Sequence, residues 1–262
     1  MSQPDPHNLY ATRPDLYDVM HREHVDDMRF IQEFVQLLGA APQVLELGSG
    51  TGRLLTAMLD AGASVTGLDQ EPAMVAVARE RLRPFGDRAR VITGDMRRFA
   101  LQQRFDLVVL GLNTFMHMLT TADQLDCLQA IHAHVRPAGM LLIDLANPHS
   151  VLRDMPINVL QHRFTRPAGG DQPATVTLWS SAAIAVADQL VQSMLFFDEV
   201  DSASQTVRRT IAEITLRLLY RYELELLLTR TGFALRGLYG DYQSSPYDDE
   251  SERLICVAAA LA

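Results

Sequence analysis

The sequence predicts an α/β fold in which a mostly parallel sheet, covered by helices on both faces, carries an antiparallel β insertion after its fifth strand. Three observations lead there. Short apolar runs alternate with amphipathic runs over residues 42–149, the pattern of parallel strands joined by crossover helices. A glycine cluster follows the first apolar run. Over residues 150–219 the runs become longer and rich in Val, Ile, Thr and Phe, with polar turns between them.

Taken in order, residues 1–41 read as a helical segment, and the first strand covers 44–47. A helix over 53–61 follows, with Leu54, Leu55, Met58 and Leu59 at helical spacing. A second strand over 64–68 ends at Asp69, and a helix rich in Ala, Val and Met spans 72–82. Strands at 90–93 and 106–112 come next. Leu125, Leu128, Ile131 and Val135 make one stripe of a helix over 122–135, and Pro137 and Gly139 introduce the fifth strand at 140–145. The insertion holds three long strands, 174–186, 189–200 and 207–218. A helix over 222–230 stops at Gly232, a residue suited to a left-handed cap, and 233–239 and 254–260 are closing strands. One domain is expected, divided into 1–41, 42–149, 150–219 and 220–262.

Composition narrows the function classes. The chain has 262 residues, 48% of them hydrophobic, enough for one substantial core. Its formal net charge of −9 disfavours nucleic acid, whose binding draws on Lys and Arg at phosphates. No apolar run approaches the ~20 residues that span a bilayer, so no membrane partner and a cytoplasmic location are expected. The two cysteines, Cys127 and Cys256, sit in apolar surroundings without a C-x-x-C and read as buried free thiols; no metal is expected. Leu195, Phe196 and Phe197 make the insertion more apolar than a lid needs, so a homodimer through it is expected.

The segment Glu46-Leu47-Gly48-Ser49-Gly50-Thr51-Gly52 lies between a strand and a helix. Glycines there let the backbone turn sharply and approach a ligand. The dinucleotide fingerprint G-x-G-x-x-G would place its third glycine at position 53, where Arg53 stands. Glu46 would repel a pyrophosphate and suits a cationic ligand such as the sulfonium and ammonium of S-adenosylmethionine. Asp69 lies 21 positions after Gly48, placed to accept from two ribose hydroxyls or to cap the next helix. Asp95 and Met96, ending the third strand, suit an adenine amino group and ring, or simply a turn.

These residues resemble the class I S-adenosylmethionine (SAM)-dependent methyltransferase superfamily. VLELGSGTGRL is similar to its first motif, GLDQEPAM to its second, GDMRRF to its adenine-side motif, FDLVVLGLNTFMHM to its fourth strand and AGMLLIDLANP to its fifth. The segment TRTGFALRGLYGDYQSSPYDDESERLICVA resembles the tail of small-molecule methyltransferases, and the insertion resembles, in placement, the lid of sugar and glycine N-methyltransferases. The resemblance implies a Rossmann-like sheet of seven strands, the last antiparallel, and S-adenosylhomocysteine as product. It implies that Glu46, Gly48, Ser49, Gly50 and Gly52 hold the methionine and ribose parts. Asp69 would take the ribose hydroxyls, Gln70, Asp95 and Met96 the adenine, and Leu112 or Asn113 the donor side, with Tyr10 closing over the cofactor. The fourth motif lacks Asn/Asp-Pro-Pro-Tyr/Phe, which argues against DNA-adenine and protein-glutamine methylation.

On the acceptor side, His117 follows the fourth strand end and is the candidate base, its ordinary near-neutral pKa suiting proton acceptance. Tyr17, a second catalytic candidate, and His21 are four apart on one helix face. Asp241 and Tyr242 fall on the ligand rim if the sixth strand is parallel. His162, Arg163 and Arg166 either meet an acidic or hydroxylated substrate or form a solvated strand edge, which is the duller and favoured reading. The expected reaction is methyl transfer to a nitrogen or oxygen of a small-molecule acceptor. Aminopropyl transfer, SAM-dependent cyclisation and a non-catalytic SAM-binding partner protein are the alternatives.

Overall fold

The computed structural model describes residues 5–169, 174–201 and 204–261. Five strands come first: β1 (Gln43–Leu47), β2 (Ser64–Asp69), β3 (Ala89–Thr93), β4 (Phe105–Leu110) and β5 (Val135–Ala146). The insertion contributes β6 (Gln161–Pro167), β7 (Ala174–Ala185), β8 (Leu190–Asp201) and β9 (Thr206–Arg217), and β10 (Phe233–Tyr239) and β11 (Arg253–Ala260) close the chain. The helices are α1 (Leu9–Thr12), α2 (Pro14–His21), α3 (Asp26–Leu37), α4 (Arg53–Asp60), α5 (Pro72–Leu82), α6 (Thr121–His134), α7 (Pro148–Asp154) and α8 (Arg221–Arg230).

Seven strands form the main sheet in the order β10-β11-β5-β4-β1-β2-β3. β11 runs antiparallel between β5 and β10, and the pairings among β1 to β5 are parallel. The near-continuous apolar runs of β1, β4 and β5 follow from burial on both faces. Phe30, Val35, Leu55, Met58 and Val75 of α3, α4 and α5 pack one face. Cys127, Leu128 and Ile131 of α6 and Leu224 and Leu228 of α8 pack the other. Cys127 and Cys256 are buried free thiols. No helix among the described residues is long and apolar enough to cross a membrane.

Three departures from expectation have physical causes. The fourth strand stops at Leu110 rather than continuing to 112, because Leu112 and Asn113 adopt left-handed backbone (φ 47° and 69°). That corner is held by Asp144, whose Oδ2 accepts from the Leu112 amide at 3.1 Å and whose carbonyl accepts from the Asn113 amide at 2.9 Å. Secondly, the insertion has four strands, ordered β6-β7-β8-β9. β6 reads Gln-His-Arg-Phe-Thr-Arg-Pro, an edge strand with too few apolar residues to show an alternation. Thirdly, part of the apolar surplus of the insertion is buried within the molecule. Leu195 and Phe197 are buried against Leu9, Leu16 and Val19 of α1 and α2, so two of the three side chains invoked for dimer pairing are unavailable for it.

Polar contacts strap the N-terminal helices across the molecule. Arg13 pairs with Glu199 of β8 at 2.7 Å and bonds Thr210 of β9 at 3.0 Å. Arg81 of α5 pairs with Asp18 of α2 at 2.5 Å, and both bond the Thr51 hydroxyl. Arg53 pairs with Asp27 and bonds the His24 carbonyl.

Candidate active site

A cavity of about 610 Å³ opens beyond the carboxyl ends of the parallel strands, where open α/β sheets bind ligands. Gly48 and Gly50 form its floor with φ of 63° and 52°, a left-handed conformation at which side chains other than glycine are strained. A side chain at Gly48 would collide with Thr114, and one at Gly50 would meet the Tyr17 ring at 3.6 Å. Tyr10, Tyr17, Met20 and His21 wall one side, and Ile214, Thr215 and Leu216 of β9 wall another.

Asp69 ends β2 with its carboxylate inside this cavity. Its Oδ2 accepts from the Gly50 amide at 2.8 Å and its Oδ1 from the Glu71 amide at 2.9 Å. No cation among the described residues pairs with it, and burial raises its pKa. Each oxygen keeps a lone pair for one further donor. Glu71, Asp95 and Asp123 also line the cavity against a single arginine, Arg97. Such a wall favours a cation.

His117 ends a 3-10 turn over Thr114–His117 and faces the same space. Its Nε2 lies 3.4 Å from the Tyr10 hydroxyl, and its ring meets Tyr10 edge-on at 5.6 Å. Tyr10 and Tyr17 meet at 5.9 Å, and Tyr17 and His21 at 4.5 Å. Burial drives the His117 pKa down to about 4, so the imidazole is neutral at physiological pH. This corrects the expectation of a base titrating near neutrality. Burial also raises the Tyr10 and Tyr17 hydroxyls above their ordinary range.

Residues 44–139 match a family model described as a methyltransferase domain. Cypemycin N-terminal methyltransferase from a Streptomyces species is 28% identical over 223 residues, covering 82% of this chain and 81% of that protein. The matched domain and this relative support a class I SAM-dependent methyltransferase. Two solved structures share the fold. The CcbJ methyltransferase from Streptomyces caelestis superposes with a TM-score of 0.79 at 24% identity, covering 98% of this chain and 100% of that one. The SAM-bound amino pentose methyltransferase from Micromonospora echinaspora gives 0.74 at 22% identity, covering 94% and 96%.

SAM is the cofactor of this methyltransferase. The cavity fits it: a buried carboxylate without a cation among the described residues, two glycines in left-handed backbone, and an acidic wall. Gly48, Gly50, Asp69, Gln70, Asp95, Met96, Leu112, Tyr10, Tyr17 and His117 all line this space, as does Asn113.

Glu46, Ser49 and Gly52 do not line it. Glu46 is buried with Oε2 unbonded and lies near the Leu55 amide of α4, its pKa raised by burial. The Ser49 hydroxyl packs toward Gly67. Gly52 opens α4 at φ 82°, and a Cβ there would sit 3.3 Å from Ala78, so this glycine serves the contact between α4 and α5. Asp95 lines the cavity, but Arg97 already bonds both of its oxygens, at 2.7 to 3.1 Å, and lowers its pKa. An adenine amino group would share those oxygens with Arg97.

Asp241 and Tyr242 are corrected to structural roles. β10 is indeed parallel to β5, but Asp241 accepts from the Gln243 and Ser245 amides, closing its own turn. The Tyr242 hydroxyl donates to Asp144 at 2.9 Å. Asp144 also pairs with Arg253 at 2.5 Å, and the Arg253 guanidinium donates to Asn113 Oδ1 at 3.1 Å. Sequence reasoning missed Asp144 and Arg253, which hold the Leu112–Asn113 corner. The available signal was a carboxylate inside the apolar run LLIDLA. The β9 wall at Ile214–Leu216 was also missed, since a strand pattern does not say which cavity it covers.

Proposed function

We propose that this methyltransferase acts on the nitrogen of a small-molecule acceptor, with His117 orienting the nucleophile. The observation that carries this reading is a half-buried, neutral His117 on the wall of a cavity that Asp69 also lines. In the cofactor role, Asp69 and Gln70 hold the ribose and adenine end, with Asp95 and Met96 beside the ring, and Gly48, Gly50 and Leu112 border the donor end. SAM supplies a methyl group on a sulfonium, with a neutral leaving group. Tyr10 and Tyr17 exclude water and orient His117, the Tyr10 hydroxyl donating to Nε2 when Nδ1 carries the ring proton.

A neutral amine needs alignment more than proton removal. An imidazole with a pKa of about 4 is too weak a base to ionise a hydroxyl, but it accepts an N–H hydrogen bond. The Streptomyces relative is by name an N-terminal methyltransferase, which supports nitrogen over oxygen.

The test is methyl transfer from labelled SAM to a panel of small primary amines and alcohols, read by mass. His117→Ala is expected to lower turnover by roughly 10- to 100-fold through lost alignment while SAM affinity stays within twofold. Because His117 is neutral from pH 6 upward, its contribution stays flat between about pH 6 and 8. Methylation of alcohols alone, or a loss of SAM affinity with unchanged saturated turnover, would overturn the assignment.

A further inference from the structure

A second cavity, of about 350 Å³, adjoins the first, and Met20 and His21 line both. The two differ in charge. Asp69, Glu71, Asp95 and Asp123 line the first. Among the described residues, the wall of the second has no Asp or Glu but holds Arg163, Arg166, His21 and His24, with the hydroxyls of Ser180 and Ser193. In a chain of formal net charge −9, the positive charge this wall can offer a ligand rests on Arg163, since Arg166 is paired with Glu23 and burial disfavours charge on both imidazoles.

The two arginines are not equivalent. Arg166 is engaged: it pairs with Glu23 at 2.5 Å, bonds the Val19 and Met20 carbonyls at 3.2 and 3.3 Å, and stacks on Phe164 at 4.1 Å. Among the described residues the exposed Arg163 has one hydrogen bond, 3.3 Å to the neutral Gln161 side chain, and no carboxylate pairs with it. Consecutive residues of a regular strand face opposite ways. The register of β6 against β7 shifts between His162 and Phe164, and Arg163 and Phe164 both line the cavity. Neither imidazole adds charge to this wall, since burial first of all lowers both. His21 is pushed down to about 3 by burial first, then by His24, Arg53 and Arg166.

We propose that the second cavity anchors the acceptor by a compact oxyanion, a carboxylate or a phosphate, bound to the Arg163 guanidinium. The rest of the acceptor then passes Met20 and His21 to present its nucleophile in the first cavity. This rests on the methyl-transfer reading above, and it narrows the acceptor to an anionic small molecule. A bidentate guanidinium–oxyanion contact supplies orientation as well as affinity.

The test uses the full chain, free and loaded with S-adenosylhomocysteine. Sodium phosphate and sodium acetate are titrated while the His21 and His24 imidazole resonances are followed. A saturable shift at millimolar anion is expected. Arg163→Gln should raise its midpoint by about tenfold, and Arg163→Lys should restore part of the binding. Arg208→Gln, which removes an exposed arginine of β9 outside both cavities, should leave the midpoint unchanged. A response to phosphate alone assigns a phosphorylated acceptor, and a response to acetate alone a carboxylate. An Arg163→Gln titration identical to wild type, or no saturable response at tens of millimolar, overturns the proposal. Calorimetry on the same samples reads S-adenosylhomocysteine affinity. Loss of cofactor binding with intact Arg163-dependent anion binding would strike the methyl-transfer reading and leave the anion site standing.

Discussion

Asp69 brackets the glycine loop by accepting from the Gly50 and Glu71 amides, and each oxygen has room for one more donor. Asp69→Ala removes a buried acceptor of charge-assisted hydrogen bonds and is expected to weaken S-adenosylhomocysteine by roughly 1–3 kcal/mol. Asp69→Asn, which keeps one oxygen, should fall between. Calorimetry on the three proteins gives the order, and wild-type affinity in Asp69→Ala would leave the residue only its loop-bracketing role. Asp69 was legible because a strand end followed by a helix fixes where its side chain points. Glu46 was legible as a motif residue but not as a contact. Its strand is covered on both faces, so an acid there is inside whichever way it turns, and the sequence does not say which face holds the ligand. His117 shows a third case: its position was readable, whereas its protonation depends on burial by Tyr10 and by β9, which come from distant parts of the chain.

At the scale of elements, Gly52 separates packing from binding. Its φ of 82° and the 3.3 Å approach to Ala78 make Gly52→Ala strained and crowded. A loss of about 1–3 kcal/mol of stability is expected, with cofactor affinity nearly unchanged at a temperature where the variant is folded. Urea unfolding and calorimetry together check this, and a selective loss of affinity would return Gly52 to the ligand site. The core strands and helices were readable because each carries its own period and its own glycine or proline punctuation. β6 was not, since an edge strand with solvated His162 and Arg163 has no alternation to display. The end of β4 was displaced by two residues because Asp144, on the neighbouring strand, supplies the hydrogen bonds that turn the chain there.

For the whole molecule, the half-buried His117 sets a dependence on acid. His117 has a folded pKa of about 4 against an ordinary 6.5, so between those values the unfolded chain binds the proton and the folded one does not. Its contribution is therefore fully present above about pH 6.5 and is lost as pH falls toward 4. The loss amounts to about 3 kcal/mol. Glu46 and Asp69, raised by burial, act with the opposite sign, since protonation relieves them. Comparing the wild type with His117→Gln by urea unfolding at pH 7 and 4.5 isolates the histidine, and the variant should lose less stability over that interval. The straps across the molecule bear on how the chain reaches this state. Arg13 precedes Glu199 by 186 residues, and Leu9 and Leu16 pack on strands made far later. During synthesis α1 and α2 therefore emerge long before the surface that will bury them. Such long-range closure is slow relative to local folding. The nascent chain therefore carries the apolar faces of α1 and α2 uncovered until β8 and β9 have been made, and β10 and β11 of the main sheet follow later still.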